Sequence, residues 1–171
     1  MPSIIDGSNS AVFNTPLPIA QGGMGGTTGF SNIVQSMVRL NNANGYGSTN
    51  TANRRFTNVV TNQGTDITYA DSATLGASFT VNTNGVYSIS YCDQFTAAQN
   101  VAISKNSVLT APNLAAADIL AISTATTSGF PVNPSWCGYL IAGTVIRATT
   151  DSSGVTGANP NMCQFTISRV G

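Results

Sequence analysis

The chain has 171 residues, the size of one domain or of one domain preceded by an arm. Its six basic and six acidic residues cancel, and only 7% of its positions are charged, so it lacks the basic patch that nucleic-acid binding requires. Histidine and glutamate are absent, which excludes a histidine-based triad and histidine metal ligands and means that a catalytic carboxylate pair could only be two aspartates.

Uncharged polar residues replace the missing ions, since Ser, Thr and Asn make up about a third of the chain. A surface of hydroxyls and amides loses its water at a smaller cost than a charged surface. This favours a chain that packs against copies of itself or against a larger assembly, although a monomeric β-domain of low charge has the same composition. No apolar run reaches membrane-spanning length, and the first ten residues lack the pattern of a signal peptide.

Three cysteines, Cys92, Cys137 and Cys163, show no metal-binding spacing. One disulfide with one free thiol is a possible arrangement. Three buried thiols in a chain that folds in a reducing cytoplasm are the favoured expectation. A catalytic cysteine would have no histidine partner, so the cysteines predict neither a catalytic nor a metal site.

Residues 1–53 differ in pattern from the rest and are predicted to form an N-terminal attachment arm and linker. Four glycines, Gly22, Gly23, Gly25 and Gly26, allow tight turns and close approach to another backbone. Apolar residues then recur at helical spacing from Phe30 to Val38, which predicts one short helix. Residues 41–50 are predicted to be a loop.

The hydrophobic period changes to two from about Arg54, and residues 54–171 are predicted to form the globular domain. Asn84-Gly85 is predicted to be a hairpin turn, and the Ala-rich stretch 114–122 is ambiguous between strand and helical turn. Short strands with regular turn signals predict an all-β sandwich, jelly roll or barrel. They fall around Phe56–Val60, Ile67–Tyr69, Ser78–Val81, Val86–Tyr91, Val101–Ile103, Trp136–Ile141, Val145–Ala148 and Gln164–Ser168.

Several of these segments together resemble C1q/TNF-like jelly rolls. Gly76–Tyr91 is similar to the central signature of that class, in which Gly-x-Tyr follows a turn, and Gln164–Ile167 is similar to its closing strand. Ala102–Asn106 resembles the hairpin of the class, with Ser107 where glycine is usual. Tyr139–Ile146 resembles a late segment of the class, with Thr144 in place of aspartate. The resemblance implies a jelly-roll head and a homotrimer.

The arm carries a second resemblance. Leu17–Thr28 is similar to the "GGTGATT" element of tailed-phage fibre proteins, with Met24 at the usual threonine. This implies a non-enzymatic virion protein, assembled in the host cytoplasm, whose arm docks the head on other virion proteins. The docking residues expected from it are Gly22, Gly23, Gly25, Gly26 and Phe30.

Candidate self-association residues lie on alternating strand positions. Tyr87, Ile89 and Tyr91 share one face of a strand, and Phe165 and Ile167 share one face of another. Either set is expected to meet its copies near a threefold axis, or else to fill the core of the sandwich.

Three functions are compatible with these observations. A fibre or spike head would adhere to a host-surface polysaccharide by multivalent contact, with Phe130, Trp136 and Tyr139 stacking on sugars. A capsid decoration protein would instead stabilise the shell at threefold positions. A depolymerase would need Asp66 with Asp71 or Asp93 as its carboxylates, and it is the least favoured. No cofactor, metal, nucleic acid or membrane is expected.

Overall fold

The structure is a computed structural model that describes residues 35–48, 51–125, 131–151 and 162–171. Chain contacts divide the molecule after Val34, and all described residues belong to the unit Gln35–Gly171. Most of this unit is β-strand, and each strand region predicted above overlaps an observed strand. The strands are β1 (Met37–Tyr46), β2 (Arg54–Gln63), β3 (Ile67–Ala70), β4 (Ser78–Val81), β5 (Gly85–Gln94), β6 (Gln99–Lys105), β7 (Ile119–Ala125), β8 (Pro131–Val132), β9 (Ser135–Leu140), β10 (Val145–Thr150) and β11 (Gln164–Arg169).

The strands form two antiparallel sheets. The front sheet has the order β2-β1-β11-β5, and both β8 and β9 pair with the far side of β5. The back sheet has the order β3-β4-β10-β6-β7. Because strands that follow one another in the chain often lie in opposite sheets, the molecule is the predicted all-β jelly-roll sandwich.

The first strand corrects the predicted domain boundary. Met37 and Val38, expected at the end of a helix, begin β1, and residues 41–46, expected to be a loop, complete it. β1 lies between β2 and β11, where Val38 is opposite Ile167. A boundary between residues 53 and 54 would therefore separate two paired strands, and the jelly roll begins before Met37. The rest of the predicted helix lies outside the described residues.

Aromatic rings join the two sheets in the core. The Phe165 ring on β11 stacks on the Phe79 ring on β4, with the ring centroids 4.2 Å apart. Phe56 and Tyr91 pack around Phe165 from the front sheet. These rings are buried, and stacked or edge-on aromatic pairs add stability beyond the apolar area that they bury.

The connections between the strands differ in part from the prediction. Gly143 turns between β9 and β10 with a positive φ of 89°. Asn84-Gly85 is not a hairpin turn, because the chain passes there from β4 in the back sheet to β5 in the front sheet. The ambiguous stretch contains a 3₁₀ turn, Ala116–Asp118, followed by strand β7.

All three cysteines are free thiols, so the disulfide alternative is wrong. Cys163 is buried as expected, whereas Cys92 is half-buried and Cys137 is exposed. Both of the latter lie at outward positions of the front sheet, because their neighbours along β5 and β9 point into the core.

Candidate functional site

Part of the outer face of the back sheet is covered by its own chain. The segment between β6 and β7 crosses this face, where the Thr149 hydroxyl donates to the carbonyl of Leu109 at 3.2 Å. Ala102, Ser104 and Thr149 point outward from the sheet and are nevertheless 0% exposed. The chain therefore covers the face along β6 and β10, whereas outward residues of β3 and β7, such as Thr68 and Ile122, remain exposed.

The outer face of the front sheet is different, because its outward side chains are exposed or half-buried. Small polar residues stand opposite one another across its strands: Ser88 faces Cys137 on β9 and Ser168 on β11, and Ser90 faces Ser135. We call the part of this surface on β1, β5, β9 and β11 the open face, which leaves out the edge strand β2 with its Arg55–Asp71 pair. Its members are Met37, Arg39, Asn41, Val86, Ser88, Ser90, Cys92, Ser135, Cys137, Tyr139, Gln164, Thr166 and Ser168.

The open face carries almost no charge. Arg39 is its one ionisable cation, and its guanidinium donates to the amide oxygen of Gln164 at 2.9 Å on the next strand. No carboxylate belongs to the open face. Dehydrating such a surface costs little, and two copies of it would not repel each other strongly.

One end of the open face is apolar. Val86 on β5 lies opposite Tyr139 on β9, and the backbone N–H of Val170 donates to the carbonyl of Val86 at 2.8 Å. Tyr139 and Ile141 are each 62% exposed, Val170 55% and Val86 36%. We call these four residues the apolar corner. Large apolar side chains exposed together mark an interaction surface more often than scattered ones do.

The predicted self-association residues lie elsewhere. Their side chains point into the core between the sheets and have at most 1% exposure, so they leave no surface for a neighbouring copy. All five residues fill the core, which was the alternative expectation. The expected contact with copies is therefore wrong for Tyr87, Ile89, Tyr91, Phe165 and Ile167. The same strands, β5 and β11, carry part of the open face on their outward sides.

The structure does not bring the predicted host-contact residues together on one surface. Tyr139 is on the open face, whereas Trp136 is half-buried and packs against the core. The Trp136 ring lies so close to Gly138 that a Cβ there would approach it to 2.6 Å. Phe130 lies outside the described residues, as do the predicted docking residues Gly22, Gly23, Gly25, Gly26 and Phe30.

The candidate catalytic aspartates are each held by an arginine. Asp71 accepts from Arg55 at 2.7 Å, and Asp66 lies 3.4 Å from Arg169. Hydrogen bonds from Thr83 and then Ser36, together with Arg169, lower the pKa of Asp66. These pairings give the carboxylates structural partners rather than a shared reacting centre.

Asp93 belongs to a buried ionic cluster beneath one end of the sandwich. Its carboxylate accepts from Arg54 Nη2 at 2.8 Å and from the Tyr91 hydroxyl at 2.6 Å, and its Oδ2 lies 2.7 Å from Arg54 Nε. The Cys163 thiol donates to the same carboxylate at 2.9 Å. Burial, and then the Asp93 charge, raises the pKa of Cys163 to about 11, so this thiol is a poor nucleophile. The Arg54 guanidinium also lies over the Tyr46 ring, 5.0 Å from its centroid.

The described residues contain neither a metal-binding cluster nor a membrane-spanning helix. Among the described residues, no three His, Cys, Asp or Glu side chains gather closely enough to hold a metal ion. No helix in that part of the chain is long and apolar enough to cross a membrane.

The strand order and the paired sheets define a C1q/TNF-like jelly roll, the class that the sequence resembled. Solved structures similar to it include murine APRIL at pH 8.0 and at pH 8.5, each with a TM-score of 0.57 and 12% identity. Each alignment covers 80% of this chain and 99% of the APRIL chain. At this identity the likeness shows the fold alone. No protein-family profile and no curated protein sequence matches the chain.

Proposed function

We propose that this chain is a non-enzymatic structural protein of a bacteriophage virion, a trimeric jelly-roll head that its N-terminal segment docks on the particle. The observation that carries the proposal is the contrast between the two sheets. The segment between β6 and β7 covers the β6 and β10 part of the back sheet, whereas the front sheet presents the open face with its apolar corner.

The occupant proposed for the open face is a second copy of the chain. A face with one cation, no carboxylate and many small hydroxyl side chains is self-compatible, because bringing copies together opposes few like charges. Tyr139 is the natural anchor, since a large aromatic side chain at an interface buries much apolar area and keeps its hydroxyl near the polar rim. The jelly-roll resemblance supports three copies rather than two.

The virion role rests on the sequence resemblance of the N-terminal segment to phage fibre proteins. With the open face occupied by copies, the back-sheet side of each subunit remains available to the surroundings. We propose that this side contributes to adhesion to the host surface, where several identical heads convert weak contacts into strong binding.

Charge placed on the open face tests the assembly. We expect the full chain to sediment at three times its 17.5 kDa mass, and Tyr139→Arg to sediment as a single chain. Ile122→Arg is the matched control, because Ile122 is 52% exposed but lies on β7 of the back sheet. A native chain that stays monomeric, or a Tyr139→Arg variant that remains trimeric, contradicts the proposed surface.

The position of the protein in intact virions tests the viral role. Electron cryomicroscopy of particles should show a few trimers at the tail or at a vertex. Absence of the protein from purified particles contradicts the virion proposal. Hundreds of copies at threefold positions of the shell contradict the adhesion role and favour decoration.

A further inference from the structure

Arg147 occupies the centre of the back sheet. It lies on β10, between β4 and β6, and stands directly opposite Ser104 on the outer face. The segment between β6 and β7 borders it, and the Arg147 Nη1 donates to the carbonyl of Ser107 at 3.3 Å. The side chain is half-buried, so part of the guanidinium remains open to solvent.

This guanidinium lacks the partner that the other buried or half-buried arginines have. Arg54, Arg55 and Arg169 each pair with an aspartate. Within the described residues, Arg147 differs in making no ion pair. Its buried Nε has no hydrogen-bond acceptor, which is also true of the Nε atoms of Arg54 and Arg169. The Ser104 hydroxyl beside it, in a residue that is 0% exposed, also has no partner there.

The surroundings remove water from Arg147 without supplying a counter-charge. Burial lowers the pKa of its guanidinium, and no neighbouring charge opposes that shift. Asp118 precedes Ile119, which stands opposite Ser104 on the other side of β6, but no ion pair joins it to Arg147. A desolvated cation next to unpartnered polar atoms is a configuration that an incoming anion would complete.

We propose that Arg147 is the binding residue for the carboxylate of an acidic sugar on the outer side of the head. With Nη1 donating to the Ser107 carbonyl and Nε buried, Nη2 is the donor left for a charge-assisted hydrogen bond to a carboxylate. A single carboxylate suits this site better than a phosphate or a polyanion, because Lys105, the nearest cation along β6, stands opposite Ile146 and so belongs to the other face.

The neighbouring side chains suit the rest of a sugar ring. Thr80 and Ser78 on β4 are half-buried, and Thr80 stands opposite Val145, two residues from Arg147 on the same side of β10. With the Ser107 carbonyl, they surround the cation with hydrogen-bonding groups that match ring hydroxyls. The inference deepens the adhesion part of the proposed function and rests on it for the biological source of the sugar.

Glucuronate is the probe that tests this site in solution. We expect titration of the full ¹⁵N-labelled chain with sodium glucuronate to shift the Arg147 Nε–Hε resonance to saturation, with a dissociation constant in the millimolar range, roughly what one charge-assisted contact supports. Glucose, which has the ring without the carboxylate, should leave the resonance unmoved, and acetate should bind at least about tenfold more weakly.

Two arginine variants locate the binding. Arg147→Gln should weaken glucuronate binding by roughly tenfold or more, whereas Arg55→Gln, which removes a partly exposed arginine of β2 that pairs with Asp71, should not change it. Arg147→Lys keeps the positive charge and so controls for a loss of folding. Its affinity for glucuronate should lie between that of the native chain and that of Arg147→Gln. The inference is overturned if glucuronate causes no saturable shift, if acetate binds equally well, or if Arg147→Gln binds as the native chain does.

This outcome is separable from that of the assembly. A chain that sediments as a monomer yet binds glucuronate at Arg147 would contradict the trimer and support the site. A chain that sediments as a trimer but shows no saturable glucuronate binding would support the trimer and contradict the site.

Discussion

The Arg54 Nε lies 2.7 Å from the Asp93 Oδ2 with both side chains fully buried, in a protein in which only 7% of residues are charged. The pair connects the start of β2 to the end of β5, and Cys163 joins it immediately before β11. Three strands of the front sheet therefore depend on one ion pair at this end of the sandwich.

Removing one partner of this pair should be far more damaging than removing an exposed pair. Asp93→Asn leaves the Arg54 charge buried without compensation, and we expect it to lower the free energy of unfolding by about 3–5 kcal/mol. Asp71→Asn is the control, because its pair with Arg55 is partly exposed and should cost at most about 1 kcal/mol. Urea unfolding followed by tryptophan fluorescence measures both, and equal losses would refute the structural role of the buried pair.

The three thiols should differ in reactivity according to their surroundings. Cys163 is buried against Asp93 with its pKa raised to about 11, so a thiol reagent at pH 8 should modify it only on unfolding. Cys137 lies on the open face and should react rapidly in the Tyr139→Arg variant but slowly in the native chain, where the proposed trimer would cover it. Mass spectrometry of the modified peptides gives the order. Fast modification of Cys137 in the native assembly would place the interface elsewhere.

Acid should destabilise the fold partly through Asp66. Hydrogen bonds from Thr83 and Ser36, and the Arg169 charge, lower the pKa of this carboxyl in the folded state below its ordinary value. The resulting stabilisation is present above the unfolded pKa and is lost as the pH falls through the folded pKa. We expect the stability of Asp66→Asn to be lower at pH 7 and to decline less steeply below about pH 4 than that of the native chain. Parallel acid limbs in urea titrations would show that Asp66 does not contribute.

Two glycines with positive φ should respond differently to alanine. Gly76 has a φ of 80°, and a Cβ there would lie 2.5 Å from the Asn53 Cβ, whereas Gly143 has a φ of 89° and open space around it. Gly143→Ala should cost about 1–2 kcal/mol for backbone strain alone, and Gly76→Ala about 1–3 kcal/mol more for overpacking. Thermal unfolding compares the two variants, and equal costs would mean that Asn53 moves aside freely.

Strand alternation carried most of the fold prediction. On β5, Tyr87, Ile89 and Tyr91 alternate with polar residues, and the structure buries all three in the sandwich. β1 was missed because Met37 and Val38 continue a helical spacing that begins at Phe30. The partner strand β11 lies near the other end of the chain, so no local signal favoured extended structure.

The candidate surface was harder to predict because it depends on tertiary placement. Small polar residues such as Ser88 and Ser104 look alike in sequence, yet one lies on the open face and the other is buried beneath the chain that follows β6. Only the path of that segment distinguishes the two sheets. Likewise, no local sequence signal indicates that Arg54 is buried, because its burial depends on Asp93, which lies 39 residues further along the chain.

The central place of β1 also has a mechanical consequence. The segment that precedes Gln35 leads directly into β1, which is hydrogen-bonded along both sides to β2 and β11. A pull along the strand axis would therefore load both rows of bonds together in shear instead of peeling them apart one by one. A head tethered through this strand would resist detachment under flow better than one hung from an edge strand.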